Sequence, residues 1–275
     1  MTVERIVTEH YRHGALEEAL LKGLAAAGKD LDKLTPDDLA PGDEFHIGGR
    51  QATVDLAAEF KPTAGSHLLD IGSGLGGPAR YFAQSYGCRV TGIDLSEEFV
   101  AVATALARRV GLSGQVDYRQ ASALAMPFAD ASFDGAYLQN VGMNIADKAR
   151  LFGEIHRVLK LNGTFAMFDV MRVSDGEFLY PVPWASGAEG NFVETPATYR
   201  KLLSAAGFEI VKERDRRQFA IDFFADQQAQ AAKSGRPTFG LQIVNGPTAR
   251  EKFFNMLTML KSGLISVVEM ICRRV

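Results

Sequence analysis

The chain has 275 residues, of which 47% are hydrophobic, and its 30 lysines and arginines against 33 aspartates and glutamates give a formal net charge of -3. That balance offers no electrostatic footprint for nucleic-acid phosphates, and the length suits one domain with an appendage. The two cysteines, Cys88 and Cys272, lie far apart, which argues against a disulfide framework or cysteine metal site and for a reduced, cytoplasmic setting.

The first residues, MTVERIVTEHYRHG, mix charges and histidines where a leader would need an apolar run. Ile6, Val7 and Tyr11 share one face of a first short helix, and Leu16, Ala19, Leu20 and Leu24 mark a second that stops at Gly28. Thr35-Pro36-Asp37-Asp38 predicts a capped helix start, and Gly48-Gly49 opens a helix that must end before Pro62. Residues 1–62 therefore read as a helical arm.

From Ser66 the period changes. Short apolar runs, HLLDI, RVTGI and VDYRQ, alternate with helix-length stretches, GPARYFAQSYG and SEEFVAVATALARRVG, which predicts a parallel sheet. FDGAYLQ continues as a fourth strand, DKARLFGEIHRVLK as a helix, and Asn162-Gly163 precedes a fifth strand, TFAMFDV. Residues 171–194, rich in Gly, Pro and aromatics, read as a loop or lid. Helix PATYRKLLSAAG and strand FEIVKER follow. Residues 218–262 read as an inserted cover of two amphipathic helices, IDFFADQQAQAAK and PTAREKFFNMLTML, before a last strand, LISVVEMICRR. Lys261 and Glu269 interrupt the late apolar stretch, so no membrane span is expected. Residues 63–275 thus predict a doubly wound, mostly parallel α/β sheet of about seven strands, its last two antiparallel, with helices over the strand C-termini.

The most informative segment is LLDIGSGLGGPAR, a strand that runs into Gly72, Ser73, Gly74, Gly76 and Gly77 and then a helix. Its glycines satisfy both G-x-G-x-G and the dinucleotide pattern G-x-G-x-x-G, so a NAD(P)-dependent oxidoreductase stays open on glycines alone. Asp70 lies two residues before Gly72, where it would repel a pyrophosphate and welcome a cation. Asp94 ends the second strand, where an acid can accept both hydroxyls of a ribose; capping the next helix, which Ser96 can also do, is its ordinary reading.

With Asp94, the segments LLDIGSGLGG, ASALAMPFADASFD, LQNVGMN, EIHRVLKLNGTFAMFDV and AGFEIVKER resemble the class I S-adenosylmethionine-dependent methyltransferases over residues 66–213 plus the final strand. The arm, FHIGGRQAT and the insertion are similar to small-molecule methyltransferases acting on sarcosine and dimethylglycine or on quinone precursors. The resemblance implies a Rossmann-like fold and S-adenosylmethionine as cofactor. It implies that Asp70, Gly72, Ser73, Gly74 and Gly76 surround the methionine part, the Gly72 carbonyl accepting from its ammonium. Asp94 would hold the ribose, Leu95 would pack on adenine, and Ala121, Ser122 and Ala123 would meet its edge. Gln139 and Asn140 would floor the site, with Met143, Asn144, Trp184 and Tyr11 toward substrate. Two departures stand out: Ser122 occupies a position where relatives often carry Asp, and Asn144 one where many carry a histidine. The second leaves open a noncatalytic S-adenosylmethionine-binding protein.

No base is assigned; His46 and Tyr11 are the candidates, each with an ordinary structural reading beside it. His67 and His156 read as structural, Trp184 as a loop anchor or a substrate contact. Phe219, Phe223, Phe224, Phe253, Phe254, Met256 and Met259 read first as core of the insertion and second as an apolar substrate wall. No metal constellation is visible. The expected partner is a small molecule, not nucleic acid or membrane, on a monomer or homodimer.

Overall fold

The computed structural model describes residues 2–235 and 237–275. Four helices open the chain, α1 (Val3–His10), α2 (Leu16–Ala26), α3 (Pro36–Asp43) and α4 (Gly49–Phe60). The Thr2 side chain caps α1, and Thr35 and Asp38 close a reciprocal capping box before α3 with Pro36 in its first turn. Leu16, Leu20 and Leu24 of α2 are buried with Leu39 of α3 and with Leu75, Phe99 and Leu106 from the region that follows. The apolar stripe of the arm is completed by the rest of the molecule, so the arm packs on it.

Strands and helices then alternate as β1 (His67–Ile71), α5 (Gly77–Tyr86), β2 (Arg89–Asp94), α6 (Glu97–Arg109), β3 (Val116–Gln120), β4 (Phe133–Gln139), α7 (Lys148–Val158), β5 (Leu159–Arg172), α8 (Pro196–Ala205) and β6 (Phe208–Asp215). The cover comprises α9 (Arg217–Ser234), α10 (Gln242–Asn245) and α11 (Ala249–Ser262), and β7 (Ile265–Arg274) returns to the sheet. The seven strands are ordered β3-β2-β1-β4-β5-β7-β6. β1 to β5 pair in parallel, while β7 lies between β5 and β6 and runs antiparallel to both. The order reverses between β1 and β4, and at that point the loops diverge and a crevice opens at the strand C-termini. Adjacent residues feed opposite layers: Leu68 joins Phe60 and Phe82 on one face, Leu69 joins Phe133 and Phe152 on the other.

One local feature differs from the sequence expectation. Asn162-Gly163 lies inside β5 instead of ahead of it, with Asn162 at φ 63, and the β4–β5 register shifts between Phe133 and Gly135. Asparagine tolerates the left-handed region, so the chain absorbs the irregularity as a bulge and keeps pairing. Between β5 and α8 the loop folds inward and buries Trp184 at 2% exposure.

Candidate cofactor and substrate cavity

The C-terminal ends of β1, β2 and β4 open into a cavity of about 340 Å³. Backbone N–H groups of Gly72 and Ser73 donate to the Ile93 carbonyl at 2.8 and 2.9 Å, which pins the loop to β2. Gly72 sits at φ 70, and a Cβ there would come within 2.4 Å of Val141 Cγ2. Gly74, at φ 50, faces open space, so bare backbone borders the cavity. Asp94 spans the loop and the next helix: Oδ2 accepts from Gly74 N and Oδ1 from Ser96 N, each at 2.9 Å. Ser96, not Asp94, caps α6, accepting from Phe99 N at 3.2 Å. Burial raises the Asp94 carboxyl above its ordinary range.

Asp70 is 3% exposed with one carboxylate oxygen unpartnered, and burial pushes it up to about 8. Ser73 Oγ and Gln139 Nε2 are also buried without a partner. Among the described lining residues there is no lysine or arginine. Unsatisfied buried acceptors beside bare backbone fit a ligand that brings an ammonium and hydroxyl donors, and penalise a diphosphate. The residues present therefore fit a sulfonium nucleoside bearing an amino acid.

Beyond Asp94, Leu95, Phe99, Ala121 and Ala123 line an apolar slot. At its edge the Ser122 hydroxyl donates to the carboxylate of Glu4 on α1 and accepts from Leu124 N at 3.0 Å. Glu4 carries no motif in the sequence; only folding the arm over the sheet brings it here. Gly76 does not reach the cavity. It precedes α5 at φ 77 with Tyr118 against it, where a Cβ would lie 2.3 Å from the phenol oxygen, so its glycine serves a close approach of β3.

The roof is a relay of hydrogen bonds. Tyr11, which caps the C-terminus of α1, donates to Asn144 Oδ1 at 3.1 Å, and Asn144 Nδ2 donates to the Trp184 carbonyl at 2.8 Å. Trp184 Nε1 donates to Asn191 Oδ1 at 2.9 Å, and Asn191 Nδ2 donates to the Tyr180 hydroxyl at 2.8 Å. His10 Nε2 adds a contact to the Pro183 carbonyl at 2.9 Å. Asn144 thus clasps arm and loop with both ends of its amide. Met143 and Asn140 line the same cavity, and Asn140 Oδ1 accepts from Ile47 N at 2.8 Å.

His46 lines the cavity too, with its ring nitrogens occupied. Nε2 lies 3.0 Å from both Glu44 Oε2 and Thr53 Oγ1, and Nδ1 lies 3.3 Å from the Ile47 carbonyl. Burial alone would raise Glu44, but His46, Arg50 and Thr53 outweigh it and hold the carboxyl below its ordinary range. Burial and nearby Asp94 raise the Tyr11 phenol. Phe223, Phe224, Phe253 and Met256 form the far wall, while Phe254 points to solvent and Phe219 and Met259 pack in the core. His67 bonds Thr91 at 2.9 Å and His156 packs on Phe208, both outside the cavity. Among the described residues no helix is long and apolar enough to cross a membrane, and no cluster of three His, Cys, Asp or Glu is placed to hold a metal.

Residues 69–167 match the family model described as a methyltransferase domain. The chain is 30% identical over 188 residues to the O-methyltransferase resE of Aspergillus sclerotiorum, covering 65% of this chain and 68% of that protein. It is 33% identical over 183 residues to the sterol 24-C-methyltransferase of Eremothecium gossypii, covering 64% of this chain and about half, 48%, of that protein. Its backbone matches that of phosphoethanolamine N-methyltransferase 2 of Haemonchus contortus in complex with S-adenosyl-L-methionine, with a TM-score of 0.77 at 18% identity, over 100% of this chain and 60% of that one. Fold and site together define a Rossmann-like methyltransferase. The chain belongs to the class I S-adenosylmethionine-dependent methyltransferase family, and its cofactor is S-adenosylmethionine. The oxidoreductase alternative that the glycines alone left open is thereby set aside.

Proposed function

We propose that this chain transfers the methyl group of S-adenosylmethionine to a small molecule enclosed between the C-terminal ends of the strands and the helical cover. The observation that carries this is the meeting, in one cavity, of unpartnered Asp70, bare Gly72–Gly74 backbone and Asp94 at one end with an apolar chamber at the other. When bound, the cofactor supplies a methyl on a positively charged sulfur. Asp70 and the Gly72 carbonyl would hold its amino group, while Asp94, kept in place by Gly74 N and Ser96 N, would accept the ribose hydroxyls. Leu95, Ala121 and Ala123 would flank the base, with Ser122 and Glu4 at its polar edge. Gln139 and Asn140 would floor the methyl-bearing end.

The residues of the chain contribute alignment and dryness. Holding two reactants in line can offset about 7 to 11 kcal/mol of barrier. The Tyr11–Asn144–Trp184 relay ties the arm to the loop, a closure that would shield the methyl-transfer end from water. With both His46 nitrogens engaged and Tyr11 donating to Asn144, neither candidate stands as a free base. The transfer then relies on an acceptor atom that has no proton to lose first. A cytoplasmic monomer or homodimer is the form proposed.

Calorimetry with S-adenosylhomocysteine and NADH, followed by mass spectrometry of a broad metabolite panel incubated with the donor, tests the proposal. Binding of the former alone, together with a product heavier than its substrate by one methylation, supports it. NADH binding in its place defeats it; tight S-adenosylhomocysteine binding with no methylated product returns the noncatalytic alternative.

A further inference from the structure

The acceptor end of the cavity differs in chemistry from the cofactor end. Its wall is built by Val170, Trp184, Phe223, Phe224, Phe253 and Met256, hydrocarbon and aromatic throughout. The carboxylates that border the cavity lie elsewhere or are spent. Asp70 and Asp94 sit under the glycine loop, Asp43 lies beside Gly77 at the same end with Oδ2 paired to Arg80 at 2.5 Å and Oδ1 unpartnered, Glu4 binds Ser122, and Asp147 caps α7 through Arg150 N at 2.9 Å.

The nearby cations are engaged on other groups. Arg80 Nη2 also donates to the Leu75 carbonyl at 2.7 Å, Arg50 holds Glu44 and Asp37, and Lys148 donates to the carbonyls of Ile145 and Phe192. Lys252 Nζ donates to the Asn245 carbonyl at 3.3 Å. An anionic acceptor, whether phosphate ester or carboxylate, would enter without a counter-ion, and an ammonium would enter without a free carboxylate on this wall. The polar side chains that border it are the neutral amides and hydroxyl of Gln139, Asn140, Asn144 and Tyr11; Tyr11, Asn144 and the Asn140 oxygen are engaged within the protein, and Gln139 Nε2 is the unpartnered donor among them.

We infer that the acceptor is a neutral, hydrocarbon-rich molecule with at most one or two hydrogen-bonding groups, at least one an oxygen acceptor facing Gln139. This rests on the methyl-transfer reading of the cavity and narrows its substrate class.

Trp184, the sole tryptophan of the chain, lines the chamber and reports on its occupancy. The full chain is loaded with S-adenosylhomocysteine, confirmed by calorimetry, and titrated with two matched probe pairs: farnesol against farnesyl diphosphate, and 1-naphthol against 1-naphthyl phosphate. Each alcohol is expected to change Trp184 emission saturably and to bind at least about tenfold tighter than its ester. Phe224→Arg, checked for retained S-adenosylhomocysteine binding, is expected to cut that preference to below about threefold by supplying the missing cation. Esters that bind wild type as tightly as the alcohols overturn the inference, as does saturation by neither. A chain that fails to bind S-adenosylhomocysteine at the loading step instead brings down the cofactor reading beneath it. The wild-type comparison decides the matter even where Phe224→Arg does not fold.

Discussion

Cofactor binding should release a proton from Asp70. Its carboxyl is buried with one oxygen unpartnered and pushed up to about 8, so at pH 7 roughly nine tenths of the free protein carries a proton there. An ammonium placed beside it favours the ionised form and draws the group back toward the ordinary carboxylate range. By linkage, binding of S-adenosylhomocysteine at pH 7 should expel close to one proton from this site, and affinity should rise about tenfold from pH 6 to pH 7, flattening as pH passes about 8. Calorimetry at fixed pH in phosphate and Tris, whose ionisation heats differ, reads the released proton directly. Asp70→Asn should bind more weakly and lose this site's proton release. The same group acts on the free fold: with its folded pKa above the unfolded value, its contribution to stability is largest below the ordinary carboxylate range and is lost as pH rises toward about 8. Identical apparent binding heats for wild type in the two buffers at pH 7 would refute the placement of the cationic group beside Asp70.

Asp94→Ala removes the acceptor of two ribose hydroxyls, each charged bond worth about 1.5 to 3 kcal/mol, and should weaken S-adenosylhomocysteine at least about a hundredfold; unchanged affinity by calorimetry would defeat the assignment. Glu4→Ala should shrink the preference for S-adenosylhomocysteine over S-inosylhomocysteine, which presents an oxygen in place of the adenine amino group; an undiminished preference removes Glu4 from the base edge. Tyr11→Phe leaves Asn144 Oδ1 without its donor and should cost about 1 kcal/mol while loosening α1, read as a lower melting temperature and faster tryptic cleavage at Arg12. No change in either would show that the relay does not hold the arm. Gly76→Ala, at φ 77 with Tyr118 in its way, should cost about 1 to 3 kcal/mol in stability and leave the affinity of the folded protein intact. Lost affinity at full stability would instead make Gly76 a cofactor contact.

What the sequence determined by itself is whatever is coded within a few residues. The change of period at Ser66, the Thr35–Asp38 capping box, the end of α4 ahead of Pro62, and the glycine loop ahead of α5 are all local, and each forms where its residues predict. Asp94 was legible for the same reason, since a strand end about twenty residues past that loop has one place to go in a parallel sheet. Tertiary structure decided what depends on partners distant in the chain. Glu4 and Ser122 meet across 118 residues and Tyr11 and Asn144 across 133, and neither pair leaves a trace in spacing or composition. The same holds for negatives: the His46 ring is spoken for by Glu44 and Thr53, and Gly76 makes room for Tyr118. Helical spacing puts Phe219 with Phe223, and Phe253 with Met256, on common faces of their helices, but whether a face meets core, cavity or solvent is settled by what packs against it. Hydrophobic periodicity records that a side chain leaves water, and only the assembled sheet, arm and cover determine which surface receives it.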